Sequence, residues 1–139
     1  MNDIIETSKA PRPVGLYPHA RRVGDFIFLS GVGPRQPGSD HIPGNRYDEH
    51  GNLIAYDFRA QTLAVFQNVR SILEAAGARW EDIVDVTVFL TNMRVDFPTF
   101  NELWREHFAG VNACRTTIEV GALPTPIAIE LKVIAYVGS

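Results

Sequence analysis

Residues 114–137, CRTTIEVGALPTPIAIELKVIAYV, decide the fold. Two runs rich in β-branched residues flank Gly121-Ala122-Leu123-Pro124-Thr125-Pro126, which reads as two strands with a proline-punctuated connection. Successive strand side chains point to opposite faces. Ile127, Ile129, Leu131, Val133 and Ala135 therefore share one face, and Ala128, Glu130, Lys132, Ile134 and Tyr136 the other. In the first run Arg115, Thr117 and Glu119 share a side, opposite Thr116, Ile118 and Val120. Two charges stand out in these apolar strands, Arg115 at a strand start and Glu130 mid-strand. A lone carboxylate there is costly to desolvate unless it is paired or put to use. One reading is a cross-strand ion pair of Glu130 with Arg115 or Lys132. The other is an anion-binding arginine beside an acid/base carboxylate.

Upstream, residues 96–108 are patterned as a helix, with Asp96 as cap, Pro98 in the first turn and a stripe of Phe97, Phe100, Trp104 and Phe108. A strand over 83–90 precedes it, with Val84, Val86, Val88 and Leu90 in alternation. Before that, residues 57–76 form a first helix, capped by Asp57 and ended by Gly77. Its stripe is Leu63, Phe66, Val69, Leu73 and Ala76, widened by Val65 and Ile72. Residues 32–56 are rich in Gly, Pro, Asn and Asp and are expected to be a long loop with at most short hairpin pieces. Phe26-Ile27-Phe28-Leu29-Ser30-Gly31 is a strand entered by a turn at 21–25, and residues 1–14 are a tail or an edge segment. A glycine at that strand end lets a ligand or a backbone come close.

At 139 residues the chain is one domain, residues 1–139, with ordinary globular composition. A net charge of -3 argues against a general nucleic-acid binder. No apolar run reaches membrane-spanning length, and the N-terminal stretch lacks the pattern of a signal peptide. One cysteine fits a reducing, cytoplasmic setting. The spacing of His19, His41, His50 and His107 matches no metal motif, so no metal is expected. Cys114 is expected to be a buried, inert thiol. Two amphipathic helices cover one face of such a sheet. The apolar face left over predicts a homo-oligomer.

In this order and spacing, several separated segments resemble the RidA/YjgF (reactive intermediate/imine deaminase) family. They are Gly15-Leu16-Tyr17, Phe28-Leu29-Ser30-Gly31, Gln61 with Asn68-Val69 and Glu74-Ala75-Ala76-Gly77, Val88-Phe89 with Asn101, Arg115-Thr-Thr-Ile-Glu-Val, and 129–135. The resemblance spans about Gly15 to Ala135. It implies an α+β, chorismate mutase-like fold, a mixed β-sheet with two helices on one face. It also implies a homotrimer with a central β-barrel, higher assembly being open, and ligand sites in clefts between subunits. The chain departs from the family in Ala113-Cys114 before the arginine, a shorter 101–115 segment, a longer loop after Gly31, and Thr117 where cysteine is frequent. The long loop and divergent rim resemble the subgroup that deaminates 2-aminomuconate.

The site implied by the resemblance joins Arg115 and Glu130 as catalytic residues, with Arg115, Tyr17, Ser30, Gly31, Asn101 and Thr117 binding a small-molecule carboxylate. Arg115 offers a planar fork for a carboxylate, and Glu130 can position water and exchange protons. No cofactor is needed, because an imine is already activated towards water. Tyr17 either closes over a ligand or is an interface aromatic, and Asn101 either touches ligand or makes a cap or inter-subunit hydrogen bond. A distal carboxylate would need Arg12, His19, Arg35, His41 or Arg94. Three functions remain open: hydrolytic deamination of 2-aminomuconate, broad 2-imino/enamino acid deamination, and a non-catalytic ligand-binding or chaperone-like trimer. Ribonuclease activity is disfavoured by the acidic charge and the lack of a basic aromatic platform.

Overall fold

Both helical crossovers travel the same way across one sheet, and that fixes which of its faces is covered. In the computed structural model, which describes residues 2–138, the sheet holds β1 (Asn2–Ile5), β2 (Ala20–Val23), β3 (Phe26–Leu29), β6 (Ile83–Leu90), β7 (Cys114–Glu119) and β8 (Ile129–Tyr136). A separate hairpin pairs β4 (Arg46–Tyr47) with β5 (Leu53–Ala55). The order across the main sheet is β1-β2-β3-β8-β6-β7. β3 and β6 are each antiparallel to β8 between them, so they run parallel to one another. β6 also pairs parallel with β7. Helix α1 (Phe58–Ala75) makes the first parallel connection and α2 (Met93–Phe108) the second. Right-handed crossovers stepping in one direction place both helices on the same face. The architecture is the expected α+β one, a mixed sheet with two helices on one side.

The covered face carries Ile27, Leu29, Val86, Val88, Leu90, Leu131, Val133 and Ala135, all buried. The alternation read along β8 therefore holds. From the helices, Phe66, Val69, Leu73, Phe100 and Leu103 close the core. Each fully buried side chain of this kind contributes about 1.5–3 kcal/mol.

Several local expectations change. Arg21 and Arg22 lie in β2, not in a turn, because the N-terminal segment folds back as the edge strand β1 and pairs with them. On α1 the Asp57 cap holds, accepting from the Ala60 N–H at 3.0 Å, and Gly77 ends the helix at φ 78°. Leu63, however, is exposed, and Gln61 and Asn68 occupy buried positions. α2 begins three residues earlier than expected: Asn92 is the cap, accepting from the Val95 N–H at 3.4 Å. Asp96 is instead buried within the helix and accepts from the Tyr56 hydroxyl at 2.7 Å. Pro98 thus falls inside the helix, beyond its first turn. Cys114 is exposed, because β7 is the sheet edge.

The opposite face of the sheet is bare in the single chain. Phe26, Phe28, Ile118 and Tyr136 are exposed upon it. Phe26 packs on Tyr136 with ring centroids 5.0 Å apart. No helix among the described residues is long and apolar enough to cross a membrane.

Candidate active site

β7 and β8 are not neighbours, because β6 lies between them. Arg115 is in register with Val86, and Glu130 with Phe89. Val86 faces the helices and Phe89 is its odd-numbered, opposite-facing neighbour along β6. Arg115 and Glu130 therefore sit on opposite faces of one sheet. The cross-strand ion pair is absent, and within one chain the two groups do not share a pocket. The sequence residues instead separate into two clusters.

The first cluster lies along α2. Arg115 Nη2 donates to Asn101 Oδ1 at 2.8 Å. Its guanidinium carbon lies 5.0 Å from the Trp104 ring centre, 5.4 Å from Phe100 and 5.7 Å from Phe97. The aromatic stripe of α2 thus faces both the core and this arginine. Burial draws the Arg115 pKa below its usual value, and no carboxylate among the described residues pairs with it. Thr117, in register with Val88 on the same side, has a buried hydroxyl without a hydrogen-bond partner. π-faces and an amide orient a guanidinium without neutralising its charge.

The second cluster surrounds Glu130 on the bare face. A Cβ on Gly31 would stand 2.7 Å from Glu130 Oε2 and 3.0 Å from its Cδ. Only glycine lets this carboxyl lie against the chain there. Burial raises the Glu130 pKa above the ordinary carboxylate value. Lys132, on the same face, donates to the Leu29 carbonyl instead of to Glu130, and burial lowers its pKa. Ser30 Oγ donates to the Pro18 carbonyl at 2.7 Å, which pins the Tyr17 loop beside Gly31. Tyr17, Ser30 and Gly31 line a crevice with His19 and Arg35.

Residues assigned no site role from the sequence hold this rim in place. Gln61 donates to Asn45 Oδ1 and accepts from the Ala128 N–H, both at 2.8 Å. Asn68 Nδ2 donates to the carbonyls of Gly33 and Arg35 at 2.9 and 2.8 Å. A buried amide within a helical apolar stripe was the available signal, since such a group needs partners. His19 is also structural: Nδ1 accepts from the Thr7 N–H at 3.3 Å, which leaves Nε2 to donate to the Pro11 carbonyl at 2.8 Å. That removes it from the candidates for a distal carboxylate. Arg94 is exposed in the first turn of α2, and His41 is exposed in the loop after Arg35. Among the described residues, no group of His, Cys, Asp and Glu is placed to hold a metal ion.

A family model described as Endoribonuclease L-PSP matches residues 7–137. The chain belongs to this family. A RutC family protein of Pyrococcus abyssi is 39% identical to this chain, with 96% of each chain covered. A protein of Dermatophagoides farinae named 2-iminobutanoate/2-iminopropanoate deaminase is 33% identical, over 96% of this chain and 95% of its own. The crystal structure of Escherichia coli TdcF with bound serine superposes with a TM-score of 0.81 at 32% identity, covering 96% of this chain and 98% of the other. Membership of the Endoribonuclease L-PSP family agrees with the RidA/YjgF resemblance drawn from the sequence segments.

Proposed function

We propose that this protein is a cofactor-free hydrolytic deaminase that acts on 2-aminomuconate, with each site assembled from two subunits of a trimer. The observation that carries the reading is a pair of half-buried charges without ionic partners among the described residues. They are Arg115 on the helix-covered face and Glu130 on the bare face. The bare aromatic face becomes the interface when three sheets close around an axis, and the edge strand β7 of one subunit then lies across Gly31 and Glu130 of the next. Arg115 takes the substrate carboxylate in two charge-assisted hydrogen bonds and draws electron density from C2. Asn101, Thr117, Tyr17 and the Ser30–Gly31 backbone complete the grip.

The chemistry needs few groups. A proton delivered to carbon through Glu130 and water converts the enamine to its imine tautomer. Glu130 then takes a proton from water as the oxygen attacks C2, and returns it to nitrogen as the C–N bond breaks. Water enters, ammonia leaves and a 2-oxo acid remains. A carboxyl with a raised pKa suits both transfers.

A second reading, a broad 2-imino acid deaminase, is favoured by the name of the Dermatophagoides farinae relative. A coupled ammonia assay decides, comparing freshly generated 2-aminomuconate with 2-iminobutanoate. A large preference for the first supports the leading reading, and preference for the second replaces it. Silence with both substrates leaves a binding protein. Arg115→Ala abolishes saturable turnover, and Glu130→Gln binds substrate yet loses most ammonia release.

A further inference from the structure

We propose that Arg35 is the receptor for a second carboxylate, so that the crevice lined by Tyr17, Ser30 and Gly31, whose Gly31 abuts the Glu130 carboxyl, selects dicarboxylate over monocarboxylate substrates. The inference rests on that crevice being the reaction site proposed above. Arg35 stands four residues beyond Gly31 in a segment that α1 fixes through Asn68. It lines the same crevice as Ser30 and Gly31, and with Tyr17 it also borders a wider groove under the N-terminal arm.

The charge of Arg35 is poorly matched. Its side chain is only 15% exposed. Nη2 donates to the Arg12 carbonyl at 2.7 Å. Its carboxylate neighbour is Asp40, 3.7 Å from Nη1, and that side chain is 99% exposed. A contact so long, to a fully solvated carboxylate, contributes little, whereas withdrawing a guanidinium from water is costly. Arg35 therefore keeps donors in a planar fork that fits a carboxylate better than Asp40 does. A substrate anchored at one carboxylate by Arg115 and attacked beside Glu130 extends its chain past Gly31 to this fork. There its distal carboxylate displaces Asp40. Arg12 is the weaker alternative, since its side chain is exposed and it is the Arg12 carbonyl that engages Arg35.

The test uses the full-length protein and two unreactive probes, cis,cis-muconate with two carboxylates and 2-oxobutanoate with one. Titration calorimetry gives their affinities for wild type, Arg35→Met and Asp40→Asn, alongside ammonia release from 2-aminomuconate and 2-iminobutanoate. Arg35→Met weakens muconate about tenfold or more and raises KM for 2-aminomuconate likewise. It leaves 2-oxobutanoate affinity and monocarboxylate kcat/KM within about twofold. Asp40→Asn tightens muconate about twofold or more, because the competing carboxylate is gone. Equal losses for both probes in Arg35→Met, or no gain in Asp40→Asn, overturn the assignment. Should Arg35→Met fail to fold, the Asp40→Asn result decides alone. Selective muconate binding without ammonia release keeps Arg35 as the receptor and removes the deaminase reading. Ammonia release without the Arg35-dependent selectivity does the reverse.

Discussion

Arg115 and Glu130 are both half-buried charges without an ionic partner among the described residues, yet their surroundings are built differently. Arg115 is set on the helix-covered face, where Asn101 and three rings of α2 hold its guanidinium. Glu130 lies on the bare face, its carboxyl accommodated by the missing side chain of Gly31. Its walls are loops, strapped down by Ser30, His19 and Asn68. The proposed anion grip thus sits on rigid elements that orient it before any ligand arrives. The proposed acid/base end sits among connecting segments that vary easily. Chemistry common to many carboxylates fits the first arrangement, and selection among substrates fits the second. Because the sheet separates the two ends, a site that uses both, as proposed, needs a second subunit.

That separation makes the sharpest test. Arg115→Ala and Glu130→Ala each lose on the order of 10²–10⁴-fold in kcat/KM. When the two inactive proteins are unfolded together, mixed equally and refolded, about a quarter of inter-subunit sites pair an intact Arg115 with an intact Glu130. Ammonia release recovers to about that fraction. A mixture that stays dead places both groups in one subunit's site and breaks the comparison. Glu130→Gln sharpens it further through pH. The Glu130 pKa is raised in the folded protein, so its contribution to stability is complete below the unfolded value and is lost as pH rises through the folded value. At neutral pH the glutamine variant therefore melts above wild type while turning over far more slowly. The acid limb of the wild-type rate profile lies above the range of an exposed glutamate.

The next largest effect falls on assembly. Phe28, exposed on the bare face beside Phe26, offers apolar surface with no cover in one chain. Phe28→Asp converts an oligomer to monomer in sedimentation, and activity falls with it even though neither charged group has changed. A monomeric wild type at micromolar concentration removes the two-subunit site outright.

How legible all this was depends on the kind of signal. Periodicity located β6 over residues 83–90 and the buried face of β8, because alternation reports burial directly. The resemblance supplied Arg115 and Glu130 as a pair. Strand order was not legible: the two terminal strands are adjacent in sequence, but β6 inserts between them, and no local pattern encodes that non-local pairing. Parity then misleads, since residues in separate strands acquire a common face only through register. The Asp96 cap failed for a related reason. Asp96 matched the helix-start preference, but Tyr56, forty residues away, supplies a partner that makes its burial tolerable. Burial raises the Asp96 pKa, and the Tyr56 hydroxyl is pushed up to about 12. The sequence offered Arg12, His19, Arg35, His41 and Arg94 for the distal carboxylate without selecting among them, and the poor pairing of Arg35 is what favours it in the proposal.

The amides of the two helices extend the comparison to smaller effects. Asn68 donates twice to the loop carrying Gly33 and Arg35. Asn68→Ala leaves those carbonyls without their partner, costs about 1–3 kcal/mol in denaturant unfolding, and loosens the Glu130 end selectively. KM for 2-aminomuconate rises while the affinity of 2-oxobutanoate changes little.

Asn101→Ala is the counterpart at the rigid end and the mildest change. It removes one hydrogen bond from Arg115, but the Phe97, Phe100 and Trp104 rings still fix the plane of the guanidinium. KM rises about three- to tenfold, the effect of one net hydrogen bond. kcat falls little, because Glu130 and its water are untouched. A loss in kcat as large as that of Arg115→Ala shows that the rings alone do not orient the arginine. The amide would then hold it in place, and the grip would be no more rigid than the rim opposite.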